Sequence, residues 1–275
     1  MITDVRLVIC DIDGTLVKNN RELTLRTKNV IQRLRKHGIL FGIASGRPLD
    51  ELDKKAGLWG FDEPFDVLIG MNGSELWDEV HQHRYDYFKM KKEWLKEVIT
   101  LMEPFESNCF IYKDGYLLSE KMNEQIIHSA KSSGKEVIVA DDISQMYETD
   151  NAKIMFRVKE EDMAGIEAYV NQHPSPYYKG FKTQSTLLEF ANIHVSKAYA
   201  LEEYCKMNYF GLENVVSFGD TSNDNDMLKC SGLGVCMCNG SNDTLAIADD
   251  ITEFSNEEDG FARYMEEHFL LPKGW

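Results

Sequence analysis

The stretch Val5-Arg6-Leu7-Val8-Ile9-Cys10-Asp11-Ile12-Asp13-Gly14-Thr15 decides the fold. Its first six residues form an apolar run interrupted by one Arg, which reads as a buried strand. The run ends in two carboxylates one residue apart, and burying unpaired charge is costly. A cation is therefore expected against them. Successive side chains of a strand point to opposite faces, so Asp13 joins Asp11 at one point only if Gly14 turns the chain. One carboxylate, one backbone carbonyl and a second carboxylate then converge, a donor set suited to a hard cation such as Mg²⁺. Alone, most Asp-x-Asp-Gly strings are only ordinary turns. An EF-hand loop is excluded, because its Gly stands sixth and a helix precedes it.

Downstream, Thr24 is expected to cap a helix over 25–37, with Thr27, Val30, Ile31 and Leu34 as its buried stripe and Gly38 as its stop. A second apolar run over 39–44 ends in Ser45-Gly46-Arg47-Pro48. This β-α-β order predicts two adjacent parallel strands whose C-terminal ends share the sheet edge where ligands bind. There the Ser45 hydroxyl and Gly46 amide either donate to an anion or simply turn the chain into a helix. Residues 50–58 read as helical, 65–70 as a third strand, Asn72-Gly73 as a turn and Glu75-Leu76-Trp77 as the start of a hairpin.

From about 84 to 187 the texture changes. A helix over 92–103 precedes strands at 109–112 and 116–118, a polar helix near 123–132, a strand at 153–158, a helix over 160–171 and strands at 177–182 and 186–190. This is α+β with antiparallel pairs. It reads as an inserted domain, 84–190, within a core made of 1–83 and 191–275.

The first texture then returns. Ser196 is expected to cap a helix over 197–209, with Leu201, Tyr204 and Cys205 inward. Lys197 stands at its first position, where it opposes the helix dipole by a few tenths to about 1 kcal/mol. By itself that is an exposed surface lysine; a bound anion would give it a reason. A strand over 214–219 ends in Asp220-Thr221-Ser222-Asn223-Asp224-Asn225-Asp226, ahead of a short helix at Met227-Leu228. A strand at 234–237 and helices over 242–249 and 260–269 complete the chain.

Composition narrows the function. With 46 acidic and 30 basic residues in 275, the net charge is −16, a field that repels nucleic acid and anionic membranes. A site for a phosphorylated substrate must then carry its own local cations. The six cysteines form no Cys-x-x-Cys pair and read as free buried thiols of a reducing cytoplasm. No apolar run approaches 18 residues and no leader is recognised before Asp4.

The unusual strings all fall after a parallel strand or at the helix start facing one. Together they offer Asp11, Asp13 and Asp220, one lysine, one hydroxyl and one amide, the parts phosphoryl transfer requires. At this point the chain resembles the haloacid dehalogenase-like superfamily, specifically the Cof-type phosphatases. The resemblance rests on Asp11-Ile12-Asp13-Gly14-Thr15-Leu16, Ser45-Gly46-Arg47, Met71-Asn72-Gly73, Val195-Ser196-Lys197 and Gly219-Asp220-x-x-Asn223-Asp224-x-x-Met227. It implies an α/β fold, a doubly wound, mostly parallel, Rossmann-like core sheet with an inserted α+β cap that sets specificity. It also implies Asp11 as nucleophile and Asp13 as general acid and base. Mg²⁺ would be held by Asp11, the Asp13 carbonyl and Asp220. The phosphate would be held by Ile12, Ser45, Gly46, Lys197 and Asn223, with Asp224 orienting its neighbours. The expected substrate is a small phosphorylated metabolite, a sugar phosphate or phosphorylated cofactor, and the expected state a monomer or weak homodimer. Alternatives are a phosphomutase or phosphotransferase, or a silent phosphate-binding module. His194 and Ala198 depart from the family pattern, which has glycine at both.

Overall fold

A computed structural model describes Ile2 and residues 4–275. The chain divides into two compact units, Met1–Tyr85 with Ser196–Trp275, and Asp86–Val195.

The first unit is built on an eight-stranded sheet. In chain order its strands begin with β1 (Leu7–Cys10), β2 (Leu40–Ala44), β3 (Val67–Gly70), β4 (Glu75–Asp78) and β5 (His83–Asp86). The second unit contributes β6 (Ser107–Lys113), β7 (Tyr116–Ser119), β8 (Val137–Val139), β9 (Lys153–Val158), β10 (Tyr178–Gln184) and β11 (Leu187–Asn192) to a separate sheet. The first sheet then resumes with β12 (Val215–Gly219), β13 (Leu233–Cys236) and β14 (Asp250–Ile251), in the order β14-β13-β12-β1-β2-β3-β4-β5.

Strand β1 lies mid-sheet, parallel to β2 on one side and β12 on the other, with Leu7 opposite Leu40 and Val215. All four of its residues are buried, as a parallel strand covered on both faces requires. On one face, Val8, Cys10, Phe41, Ile43, Val216 and Phe218 share a core with Val30, Ile31 and Leu34 of α1 (Leu25–Lys36) and with Phe261 and Met265 near the C-terminus. Leu7 and Ile9 alternate to the opposite face and are equally buried. A fully buried Leu or Ile contributes about 1.5–3 kcal/mol, so β1 is a firm mount for whatever follows it. The strand order reverses at β1, placing the switch point of the winding between β1 and β12.

One expected element differs in this part of the chain. The helix expected over 50–58 is two single turns, α2 (Leu49–Leu52) and α3 (Lys55–Leu58), because Asp53 and Lys54 form a turn between them.

In the second unit a six-stranded sheet runs β10-β11-β9-β6-β7-β8. Its pairs are antiparallel except β7 with β8. Helices α4 (Lys92–Met102) and α6 (Met163–Gln172) pack Leu95, Val98, Ile166 and Val170 against Ile111, Ile154, Phe156 and Phe190. Helix α5 (Glu124–Ser133) packs Ile126 and Ala130 against Phe110, Met155 and Leu187.

Helix α7 (Lys197–Met207) opens the return segment, capped by the Ser196 hydroxyl, which accepts from the Tyr199 amide. It is followed by α8 (Asn225–Cys230) and α9 (Asn242–Leu245). The helix expected over 242–249 stops early because Asp249 docks on β13, its amide and carboxylate both bonding Gly234 and launching β14. The expected 260–269 helix is α10 (Gly260–Met265) followed by a π-helical turn, Glu266–Leu270. Of the cysteines, Cys10, Cys109, Cys205 and Cys236 are buried and Cys230 partly so, but Cys238 is exposed, beyond the end of β13. No described helix is long and apolar enough to cross a membrane.

Candidate active site

Four loops of the first unit leave parallel strands at the same sheet edge. Asp11 follows β1, Ser45 follows β2, Met71 follows β3 and Asp220 follows β12. The β1 loop is tight: the amides of Leu16 and Val17 both donate to the carbonyl of Ile12, whose side chain is buried. Gly14 takes φ +86°, and a Cβ there would sit 2.4 Å from Asp220 Oδ2. Only glycine lets the β1 loop and the β12 loop approach this closely.

Lys197 lies at the centre and is 0% exposed. Its ammonium donates to Asp11 Oδ1 at 2.5 Å and to Asp224 Oδ1 at 2.6 Å. The exposed surface lysine, one of two readings of this residue, is thus excluded. The counterions that offset its position at the helix N-terminus are the protein's own carboxylates. Burial pulls the Lys197 ammonium down, but Asp11 and Asp224 outweigh it and hold the group charged above the usual lysine range.

Asp11, Asp220 and Asp224 bring carboxylate oxygens within 4.8 Å of one another, all three buried. Asp224 is spoken for on both oxygens: Oδ1 meets Lys197, and Oδ2 accepts from the amides of Asp220 and Thr221 at 3.0 and 3.1 Å. Asp220 accepts from the Thr15 hydroxyl at 2.8 Å across 205 residues of sequence. Three carboxylates around one ammonium leave an excess of negative charge. Burial pushes the Asp11 carboxyl well up, Lys197 opposes this, and Asp224 and Asp220 add to it. Burial, then Asp224, pushes Asp220 to about 6. An all-oxygen, over-anionic cluster is the chemistry a hard divalent cation fits. Asp11 and Asp220 have oxygens to give it, whereas Asp224 serves the lysine and two amides.

Asp13 is not part of that trio, and its side chain is 49% exposed. Arg47 clasps it, Nε to Oδ2 at 2.9 Å and Nη2 to Oδ1 at 2.9 Å, while Nη1 bonds the buried Glu51. Ser45 is buried beside this arginine, its Oγ accepting from the Arg47 amide at 3.3 Å. Asn223 lies at the rim, donating through Nδ2 to Asn72 Oδ1 at 3.2 Å. Gly46 is adjacent, since a Cβ on it would meet Asn72 Oδ1 at 3.3 Å. Sequence reasoning gave no part to Thr15, Arg47 or Asn72. All three stand inside quoted motifs, so the signal was present, but only the contacts give them partners.

The haloacid dehalogenase-like hydrolase family profile matches residues 8–265. The chain belongs to that family and is an enzyme of the hydrolase class. It is 26% identical over 285 residues to 5-amino-6-(5-phospho-D-ribitylamino)uracil phosphatase YitU of Bacillus subtilis, covering 98% of this chain and 100% of that protein. Among solved structures it is similar to TM0651 from Thermotoga maritima, with 26% identity, a TM-score of 0.85 and 96% and 97% of the two chains covered. A haloacid dehalogenase-like hydrolase from Bacteroides thetaiotaomicron shares the fold at 22% identity, with a TM-score of 0.86 and 96% and 100% covered.

Proposed function

We propose that the protein is a Mg²⁺-dependent phosphatase of a small phosphorylated metabolite, acting through an aspartyl-phosphate on Asp11. The observation that carries this is the fully buried Lys197 bridging Asp11 and Asp224 beside Asp220. Mere anion binding does not need three buried carboxylates. An in-line displacement on phosphorus needs an anionic nucleophile, a cation against the phosphate oxygens and a second cation opposite.

Asp11 attacks phosphorus, and the phosphate-to-alcohol oxygen bond breaks. Asp13 protonates the departing oxygen and then takes a proton from the water that hydrolyses the acyl phosphate. Lys197 holds Asp11 in place and neutralises phosphate charge; Ser45, Gly46, Asn223 and the Ile12 amide donate to the remaining oxygens. Asp11, the Asp13 carbonyl and Asp220 would hold the divalent ion, which supplies charge neutralisation on the transferring group. Asp224 fixes Lys197 and the Asp220 turn. The 84–190 segment acts as the cap that recognises the leaving group. The similarity to YitU, a phosphatase of a phosphorylated ribitylamino-uracil, supports a small phosphorylated metabolite as the substrate class, and a sugar phosphate or a phosphorylated cofactor is the reading we propose within it.

Monoester hydrolysis requires acceleration of up to about 10²¹-fold, and general acid catalysis supplies only about 10²–10⁴ of it. Covalent catalysis and charge stabilisation must provide the rest. The test is turnover of p-nitrophenyl phosphate with Mg²⁺. Wild type should hydrolyse it, and Asp11→Asn should lose at least about 10³-fold while remaining folded. Asp11→Asn activity within about tenfold of wild type removes Asp11 as nucleophile.

A further inference from the structure

Met71, Asn72 and Gly73 leave β3 with φ of +50°, +57° and +103°. No other three consecutive described residues take positive φ. Left-handed backbone disfavours Met in particular, and it persists only where the surroundings over-determine it. Those surroundings are three of the site's own strings. The Met71 amide donates to the Arg47 carbonyl at 2.9 Å, and the Asn72 amide to the Ser45 carbonyl at 3.0 Å. A Cβ on Gly73 would meet the Ser196 carbonyl oxygen at 2.0 Å, so only glycine seats the loop against the residue before Lys197. The Asn72 side chain reaches the third string, accepting from Asn223 Nδ2 at 3.2 Å.

We infer that Asn72 is a positioning residue of the phosphate pocket, fixing Asn223 against the Ser45–Gly46 turn before substrate arrives. The inference rests on the phosphatase reading and extends it to a residue that the motif alone left without a task. Donors held in advance need no reorganisation when charge develops. Asparagine suits the place twice over: it tolerates the left-handed region better than other side chains, and its amide accepts with Oδ1 while keeping donors of its own. Aspartate would keep the acceptor and the backbone but set a negative charge beside the phosphate.

The test measures inorganic phosphate binding by calorimetry with Mg²⁺ present, p-nitrophenyl phosphate kinetics and thermal unfolding on the same variants. Asn72→Gly removes the amide and relaxes the backbone, so its Tm should equal or exceed that of wild type. Its phosphate affinity should nevertheless fall about tenfold, the scale of one hydrogen bond to a charged network. Asn72→Asp should bind phosphate more weakly than Asn72→Gly although it is closer in shape. A merely structural asparagine would give the reverse order. In the double variant Asn72→Gly with Asn223→Ala, the loss should not exceed that of Asn223→Ala alone. Phosphate affinity of Asn72→Gly within about twofold of wild type, or losses that multiply in the double variant, would overturn the inference. If wild type neither turns over nor binds phosphate, the phosphatase reading itself fails; if wild type is active and Asn72→Gly equals it, the inference alone fails.

Discussion

Each compact unit buries a lysine against carboxylates, and the two clusters are balanced differently. In the second unit Lys153 on β9 and Glu189 on neighbouring β11 pair at 2.7 Å, with side-chain exposures of 6% and 8%, and the Thr183 hydroxyl donates to the other glutamate oxygen at 3.0 Å. In the first unit Lys197 faces Asp11 and Asp224, with Asp220 close by. The matched pair lies within a sheet as a structural element. The mismatched cluster keeps unrelieved negative charge in a buried place, and that unrelieved charge is what a cation or a phosphoryl centre can use. Stability and chemistry thus draw on the same residue types in different ratios.

The sharpest way to break this contrast is Lys197→Met. It strands three buried carboxylates and should destabilise the fold by about 3–5 kcal/mol near neutral pH. Asp11 and Asp220 have carboxyls raised above the usual range. A raised folded value means stability is present at low pH and lost as pH climbs. The variant should therefore be closer to wild type at pH 4 than at pH 8 in urea titrations. Equal losses at both pH values would mean that charge excess is not what Lys197 relieves.

Asp220→Asn is a milder probe. With the Asp220 carboxyl at about 6 against 3.8, its ionised form costs the metal-free fold at most about 3 kcal/mol above pH 7. The amide should raise the metal-free Tm at pH 7.5 and leave it nearly unchanged at pH 4. It should also abolish any Tm increase produced by Mg²⁺. A variant that Mg²⁺ stabilises as well as wild type would show that the ion does not use Asp220.

Replacing Lys153 and Glu189 together by Met and Leu should have the smallest effect, near zero or slightly stabilising, because a balanced buried pair about breaks even against apolar packing. Thermal unfolding measures it. A loss above about 3 kcal/mol would make the pair a specificity device of the fold and dissolve the contrast drawn above.

The strands and helices of the first unit were legible where periodicity was long, as in α1, whose four buried residues are those of the predicted stripe. What stayed hidden was short or relational. Strand β8 has three residues and β14 two, too few for a period to register. Lys197 illustrates the second kind. Its position at a helix start was readable, but its burial depends on Asp11 and Asp224, 186 and 27 residues away. The Arg47 fork on Asp13 was equally silent, because charge pairs between loops leave no spacing to read.

The central position of β1 also shapes how the molecule is made. Its partner β12 leaves the ribosome about 200 residues later, a delay of about 10–40 s at ordinary translation rates. Through that interval a fully apolar strand has one unzipped edge, a hazard for misassembly. The intervening segment meanwhile carries its own sheet and core. The nascent chain therefore cannot complete its cluster of buried charge until Lys197, Asp220 and Asp224 have all been synthesised.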